Sequence, residues 1–207
     1  IAPAITGKEQ RHVFDGDQLR GILLGNSPAA IAKLSALQRL LINIGRLSQL
    51  LRNIRLMRFL SKLWMPIRRE VFIIGGGLVG LELAEFLVER NRKVIVLEPG
   101  PSFGAELSIV RRARVLHLLG EDGAELHKSV GDLEIGAHMI RFSLDGEVQE
   151  RKCTQVIIAM GAEPDDSLLK ELAGSSARIH QIGDCREVGY IDGAILDARK
   201  LVQQMEL

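Results

Sequence analysis

The 207-residue chain is predicted to fold as an α/β protein. Three observations predict this class. Val71-Phe72-Ile73-Ile74 is a continuous apolar run, the pattern of a parallel strand buried on both faces. Three glycines follow at Gly75-x-Gly77-x-x-Gly80, and then Leu81, Leu83, Ala84, Phe86 and Leu87 make the apolar side of a helix. Further along, two alternating stretches meet at Asp145-Gly146, a strong antiparallel hairpin signal. The expected architecture is a Rossmann-like parallel sheet with helices on both faces, plus an antiparallel β-meander.

Composition narrows the function classes. Hydrophobic residues make up 46% and charged residues 26%, the balance of an ordinary globular chain. The net charge of +1 argues against a nucleic acid partner. No apolar run approaches the roughly 20 residues of a transmembrane helix, and no secretory signal is visible, so a cytoplasmic location is expected. Cys153 and Cys185 form neither a CxxC pair nor a metal framework, and each is expected to be a buried small residue. The chain begins at Ile1 rather than Met, within what reads as a strand end, which suggests a fragment.

Residues 1–25 are short apolar pieces broken by Gly and Pro. Ile5-Thr6-Gly7 reads as a strand running into a turn, and His12-Val13-Phe14-Asp15 as a short extended piece. Ser27-Pro28 is a helix start, with Ser at the cap and Pro in the first turn. Leu34, Leu37 and Leu41, then Leu47, Leu50, Leu51, Ile54, Leu56 and Leu60, recur at helical spacing, with Gly45 expected to divide two helices. No acid occurs between Asp17 and Glu70, while Arg and Lys recur throughout, so this stretch is cationic. It reads as a helical linker with a solvated charged side, or as a docking surface for an acidic partner. Trp64-Met65-Pro66 ends it.

The glycine turn carries the chemistry. In this context Gly75 permits the tight turn, Gly77 leaves room for a pyrophosphate, and Gly80 lets the helix lie close to the strand. The helix N-terminus, with Leu78 and Val79 in its first turn, offers unpaired N–H groups and a partial positive charge. A second strand, 93–98, ends in Glu98, 23 residues after Gly75 and near the spacing of about 20 expected for a ribose-binding acid. A carboxylate there accepts both ribose hydroxyls and repels a 2′-phosphate. No Arg or Lys lies between Glu98 and Arg111 to favour that phosphate, so NADH is preferred over NADPH. An ordinary solvated strand-end acid is the alternative reading.

The remaining elements follow in order. The glycine-turn helix runs to about Glu89, and Asn91-Arg92 turns into the second strand. A helix is predicted near Ile109 to Glu121, with Val110, Ala113, Val115, Leu116 and Leu119 on its apolar side, and a third parallel strand near Ala124 to His127. The meander follows, from Leu133 to Lys152. Thr154 to Met160 reads as a buried strand ending at Gly161, where the backbone can approach a ligand. A short helix carries Leu168, Leu169 and Leu172. Ile179 to Ile182 reads as a strand ending in Gly183-Asp184, before a helix from Ile191 to Met205. Asp184 can bind a hydroxyl near that helix, or it can be a turn or capping residue.

These residues resemble a known family. The Gly75–Glu98 unit, the hairpin, Ile158-Ala159-Met160-Gly161-Ala162-Glu163-Pro164 and Ile182-Gly183-Asp184 occur in the order seen in two-dinucleotide flavoprotein reductases of the pyridine nucleotide-disulfide reductase-like fold. More closely, Gly75 to Leu87 and Val188 to Ile195 resemble the C-terminal region of the 2,4-dienoyl-CoA reductase and trimethylamine dehydrogenase group. Those old-yellow-enzyme relatives, NADH:flavin oxidoreductases, join an FMN-containing TIM barrel, often with an iron–sulfur cluster, to an FAD domain with an inserted NAD(P)H domain.

The resemblance implies a partial second, FAD-type dinucleotide-binding domain. Residues 1–26 and 175–207 would be the remnant of that split domain, 27–69 a basic amphipathic insertion or linker, and 70–174 the NADH-binding domain. It further implies that Asp184 contacts FAD and that Glu82 lies near the nicotinamide and flavin, although Glu82 also reads as a helix-surface acid paired with a Lys or Arg. Gly161 would match the second strand end that faces the nucleotide. No first glycine fingerprint, TIM barrel or iron–sulfur cysteine cluster is present in these residues. FAD is therefore expected to bind in the full-length protein, and the isolated chain is expected to show little or no turnover.

The function expected is NADH binding, and its placement for hydride transfer to FAD, within a flavin-dependent oxidoreductase. The expected partners are NADH, the missing FAD half-domain and the FMN-containing TIM barrel. A non-catalytic NAD(H)-binding or regulatory module, docking through the basic helices, is the rival reading. A single-flavin disulfide reductase relative is a third, and the absence of a CxxC pair argues against a dithiol mechanism for it.

Overall fold

A computed structural model describes residues 5–16, 18–19, 27–36, 38–40, 43, 62, 65–161 and 164–205. The chain divides into two compact units, Ala4–Met160 and Gly161–Leu207.

The first unit is built on a parallel sheet. Its strands are β1 (Val13–Asp15), β2 (Glu70–Ile74), β3 (Lys93–Glu98), β4 (Glu125–Lys128) and β8 (Val156–Ile158), in the order β1-β8-β2-β3-β4. Every pairing is parallel, and Phe72 of β2 is in register with Ile95 of β3 and Val156 of β8. The continuous apolar runs have the expected cause, since Val71 to Ile74 and Val94 to Leu97 are fully buried. Between β4 and β8 lies the antiparallel meander β5 (Gly131–Ile135), β6 (Met139–Leu144) and β7 (Glu147–Lys152). Asp145 (φ 51°) and Gly146 (φ 83°) both take the left-handed conformation that a two-residue hairpin of the right twist requires.

The α-helices whose bounds are described are α1 (Pro28–Ala32), α2 (Leu78–Val88), α3 (Ile109–Glu121), α4 (Ser167–Glu171) and α5 (Tyr190–Met205). The hydroxyl of Ser27 accepts a hydrogen bond from Ala30 N–H, and Pro28 opens the first turn of α1, as the Ser-Pro pair predicts. The two faces of the sheet carry different layers. Val71, Ile73, Val94 and Val96 pack against Leu81, Ala84 and Leu87 of α2 and Val115 and Leu119 of α3. Phe72, Ile74, Ile95 and Leu97 pack against Ile135, Ile140 and Phe142 of the meander. Alternation along β2 and β3 sends successive side chains to opposite layers.

This arrangement is the parallel sheet with helices and antiparallel meander that the sequence predicts. Among the described residues, α2 and α3 share one face and the meander covers the other.

Several expectations change. Val13–Asp15, placed in the remnant domain by sequence, pairs with β8 and so forms the edge of the parallel sheet. Residues 161–174, expected with that sheet, belong to the second unit. Ile179 to Ile182 is irregular, because no described strand pairs with it. Val110 is exposed, since the buried stripe of α3 follows Val115 and Leu119. Cys153 is buried as expected, but Cys185 is exposed. Most of the cationic segment, with Gly45 and the leucines from Leu47 to Leu60, lies outside the described residues.

Candidate functional site

The glycine turn sits at the C-terminal end of β2, next to the end of β3, where ligands of open α/β sheets bind. Each fingerprint glycine has a distinct reason. Gly75 has φ +107°, and an added Cβ would lie 2.5 Å from the Ala159 carbonyl oxygen. A Cβ on Gly80 would overlap the Gly75 carbonyl oxygen, so α2 can lie against the strand end only with glycine there. Gly77 is the N-cap of α2, and Leu78 and Val79 begin the helix.

Glu98 holds the turn. Its carboxylate accepts hydrogen bonds of 2.5 Å from Gly76 N–H through Oε2 and from Gly100 N–H through Oε1. The strand-end acid thus fixes the glycine turn against the loop after β3. Each carboxylate oxygen retains acceptor capacity beyond one backbone N–H. That loop also folds over the turn, where Gly104 N–H donates to the Gly76 carbonyl at 2.8 Å and Phe103 packs on Gly76.

The same loop supplies a residue that sequence reasoning missed. Glu106 Oε1 accepts from Leu78 N–H at 2.5 Å, at the mouth of α2. A Cβ on Gly77 would lie 2.5 Å from that oxygen. A carboxylate therefore occupies the place that the absent Gly77 side chain leaves open. The first N–H of α2 already holds an anionic oxygen, which is the chemistry of a pyrophosphate subsite. The pattern of the sequence offered no signal for Glu106, a lone acid in a loop without periodicity.

The other expected residues fall as follows. Glu82, on α2, forms a 2.5 Å ion pair with Arg111 of α3, and both side chains are about half exposed. This is the paired surface acid of the simpler reading. Gly161 (φ +61°) is the first residue of the second unit, and space around it is open. Asp184 caps α5, its Oδ1 accepting from Gly189 N–H at 3.0 Å and Tyr190 N–H at 2.9 Å. Beneath it, the buried Asp197 accepts from Gly183 N–H at 3.1 Å and from Arg186 at 2.6 Å, pinning the Gly183-Asp184 turn to the helix. Asp197 and Arg186 also escaped the sequence reading, because a single acid within a helix carries no pattern.

Cys153 is no nucleophile, since burial pushes its thiol up to about 11. Among the described residues no group of acids, histidines and cysteines could hold a metal ion, and no helix is long and apolar enough to cross a membrane.

Sheet, glycine turn and meander together define a dinucleotide-binding α/β protein. The model of the pyridine nucleotide-disulphide oxidoreductase family matches residues 38–186, and the chain belongs to that family. It is 27% identical over 139 residues to an NADH oxidase of Thermoanaerobacter brockii, covering 66% of this chain and 21% of the relative. It is 32% identical over 142 residues to a nitric oxide reductase FlRd-NAD(+) reductase of Klebsiella pneumoniae, covering 59% and 37%. The chain thus spans well under half of these relatives. Its fold is similar to that of a 2-naphthoyl-CoA reductase, with a TM-score of 0.68 at 21% identity, over 97% of this chain and 24% of that one.

Proposed function

We propose that the first unit binds NADH at the Gly75–Gly80 turn and presents it for hydride transfer to FAD within a flavin-dependent oxidoreductase of the 2,4-dienoyl-CoA reductase-like group. The observation that carries this reading is the α2 N-terminus at the β2 end, where the side-chain-free Gly77 lets a carboxylate oxygen of Glu106 reach the Leu78 N–H, with Glu98 one strand away. The names of the two curated relatives, an NADH oxidase and an NAD(+) reductase, support a cofactor without a 2′-phosphate.

The residues have separable tasks. Leu78 N–H, with the dipole of α2, would hold a pyrophosphate oxygen once the Glu106 carboxylate moves aside. Glu98 would accept the ribose hydroxyls while keeping its grip on the turn. The bound nicotinamide supplies the hydride, and the protein's share is orientation. In this reading the second unit belongs to the FAD-type domain, where Asp184 faces the flavin nucleotide. The remaining FAD half and an FMN-containing TIM barrel would complete the enzyme.

Fluorescence titration with NADH and NADPH tests the assignment. NADH is expected to bind about tenfold or more tightly than NADPH, the scale of a charged hydrogen-bonding group lost or opposed. Glu98→Ala should bring the two affinities to within a few-fold. Equal affinities in the unmutated protein would overturn the role of Glu98, and binding of neither would overturn the function.

A further inference from the structure

The parallel sheet has a second end. The residues that enter the strands, rather than leave them, line a cavity of about 650 Å³ in the first unit. His12 precedes β1, Arg68 precedes β2, and Gln155 precedes β8. Lys33 follows α1, and His138 lies in the turn between β5 and β6. The dinucleotide turn occupies the opposite ends of these strands. Its volume is that of a small-molecule site.

The lining is one-sided in charge. Arg11, Lys33 and Arg68 are cationic, His12 and His138 stand beside them, and none of the lining residues is Asp or Glu. Elsewhere in the unit, Lys93, Arg111, Arg141 and Arg151 each pair with a carboxylate. Around the cavity, the cations turn to neutral oxygens. Lys33 Nζ donates to the Val13 carbonyl at 2.6 Å and to Gln18 Oε1 at 2.9 Å, and Arg11 Nε donates to the Lys33 carbonyl at 3.2 Å. Among the described residues no carboxylate bonds any of the three. His12 Nε2 is buried and lacks a hydrogen-bond partner among the described residues. Unpaired positive charge around a partly enclosed space is a focused field that attracts an anion.

We propose that this cavity binds a small oxyanion compound, bearing phosphate or carboxylate groups, at the end of the sheet away from the dinucleotide turn. Lys33 and Arg68 would balance the charge of the ligand, with the His12 and His138 rings beside it. The surroundings set the response to pH. Burial, His138 and Lys33 hold the His12 imidazole below its ordinary value. Glu70, whose charge acts on the lining residue Cys153, is taken up by Lys93. A bound anion would reverse the balance at His12 and raise its pKa.

The test follows the imidazole NMR signals of His12 and His138 in the full chain, titrated at low salt with inorganic phosphate and, separately, with citrate. Saturable shifts at both rings are expected, with His12 taking up a proton, and NADH should not displace the anion. Arg68→Gln, at an exposed side chain, should weaken binding about fivefold, and Lys33→Gln about tenfold, the range for loss of one charged partner. Saturation by phosphate assigns the phosphate class, and saturation by citrate alone the carboxylate class. The proposal is overturned if neither ring signal moves, if the shifts are linear in concentration, or if Arg68→Gln binds as tightly as the parent chain. Lys33 also holds β1, so the Arg68 variant decides the outcome should Lys33→Gln unfold.

Discussion

Two carboxylates share the work at the glycine turn, and they do opposite things. Glu98 stabilises the turn by taking the N–H groups of Gly76 and Gly100. Glu106 takes the N–H of Leu78, the group a pyrophosphate would use. An incoming dinucleotide must displace that carboxylate and tolerate its negative charge nearby. Glu106→Gln removes the charge while keeping the shape, so NADH affinity should rise about three- to tenfold, the scale of a helix-terminus charge interaction. A fluorescence titration reads this directly, and a weaker NADH complex would show that Glu106 assists binding instead. Glu98 was legible in the sequence because its distance from Gly75 along a strand–turn–helix–strand unit is fixed by geometry. Glu106 was not, since its contact depends on the path of a Pro- and Gly-rich loop folding back over the turn.

At the scale of elements, α2 depends on one close approach. Gly80 lies inside the helix, where alanine would ordinarily favour helix by about 1 kcal/mol. Here the added Cβ would overlap the Gly75 carbonyl oxygen, a backbone atom that cannot step aside. Gly80→Ala is therefore expected to lower stability by about 1–3 kcal/mol, the cost of overpacking, despite the better propensity. Urea unfolding of the two proteins measures it, and a stabilised variant would mean that helix and strand are free to part. The elements around this contact were readable because local pattern dictates them. Lys93–Glu98 and Ile109–Glu121 have the ends that the sequence indicates. Ile179 to Ile182 misled because apolar β-branched residues describe a strand only when a partner offers a ladder. The layering was also beyond reach. The apolar runs show that both faces of the sheet are buried, and they are silent on whether helix or meander buries each.

In the first unit as a whole, the meander and the parallel sheet are joined by the apolar layer between them and by one charged seam. Arg151 of β7 bonds Glu125 of β4 at 2.6 Å, and Lys93 of β3 bridges Glu125 at 3.3 Å and Glu70 of β2 at 3.0 Å. Arg151 also lies 5.9 Å from the centre of the Phe72 ring, at the heart of the sheet. The hydrogen bond from Arg151 is the main reason that the Glu125 carboxyl is held at about 2, well below 4.5. A depressed carboxyl stabilises the folded state at every pH above its unfolded value, and that contribution fades as pH falls from about 4.5 towards 2. The Glu125 side chain is 34% exposed, so solvent screening reduces the effect to about 1 kcal/mol. Glu125→Gln should thus be less stable than the parent at pH 7 by about this amount. The difference should shrink through the acid range and be nearly gone at the folded pKa of about 2. Urea unfolding across pH measures both curves. Parallel curves through that range would place the seam's contribution in packing of the Arg151 and Glu125 stems rather than in charge, whereas convergence assigns it to the ion pair that ties the two sheets together.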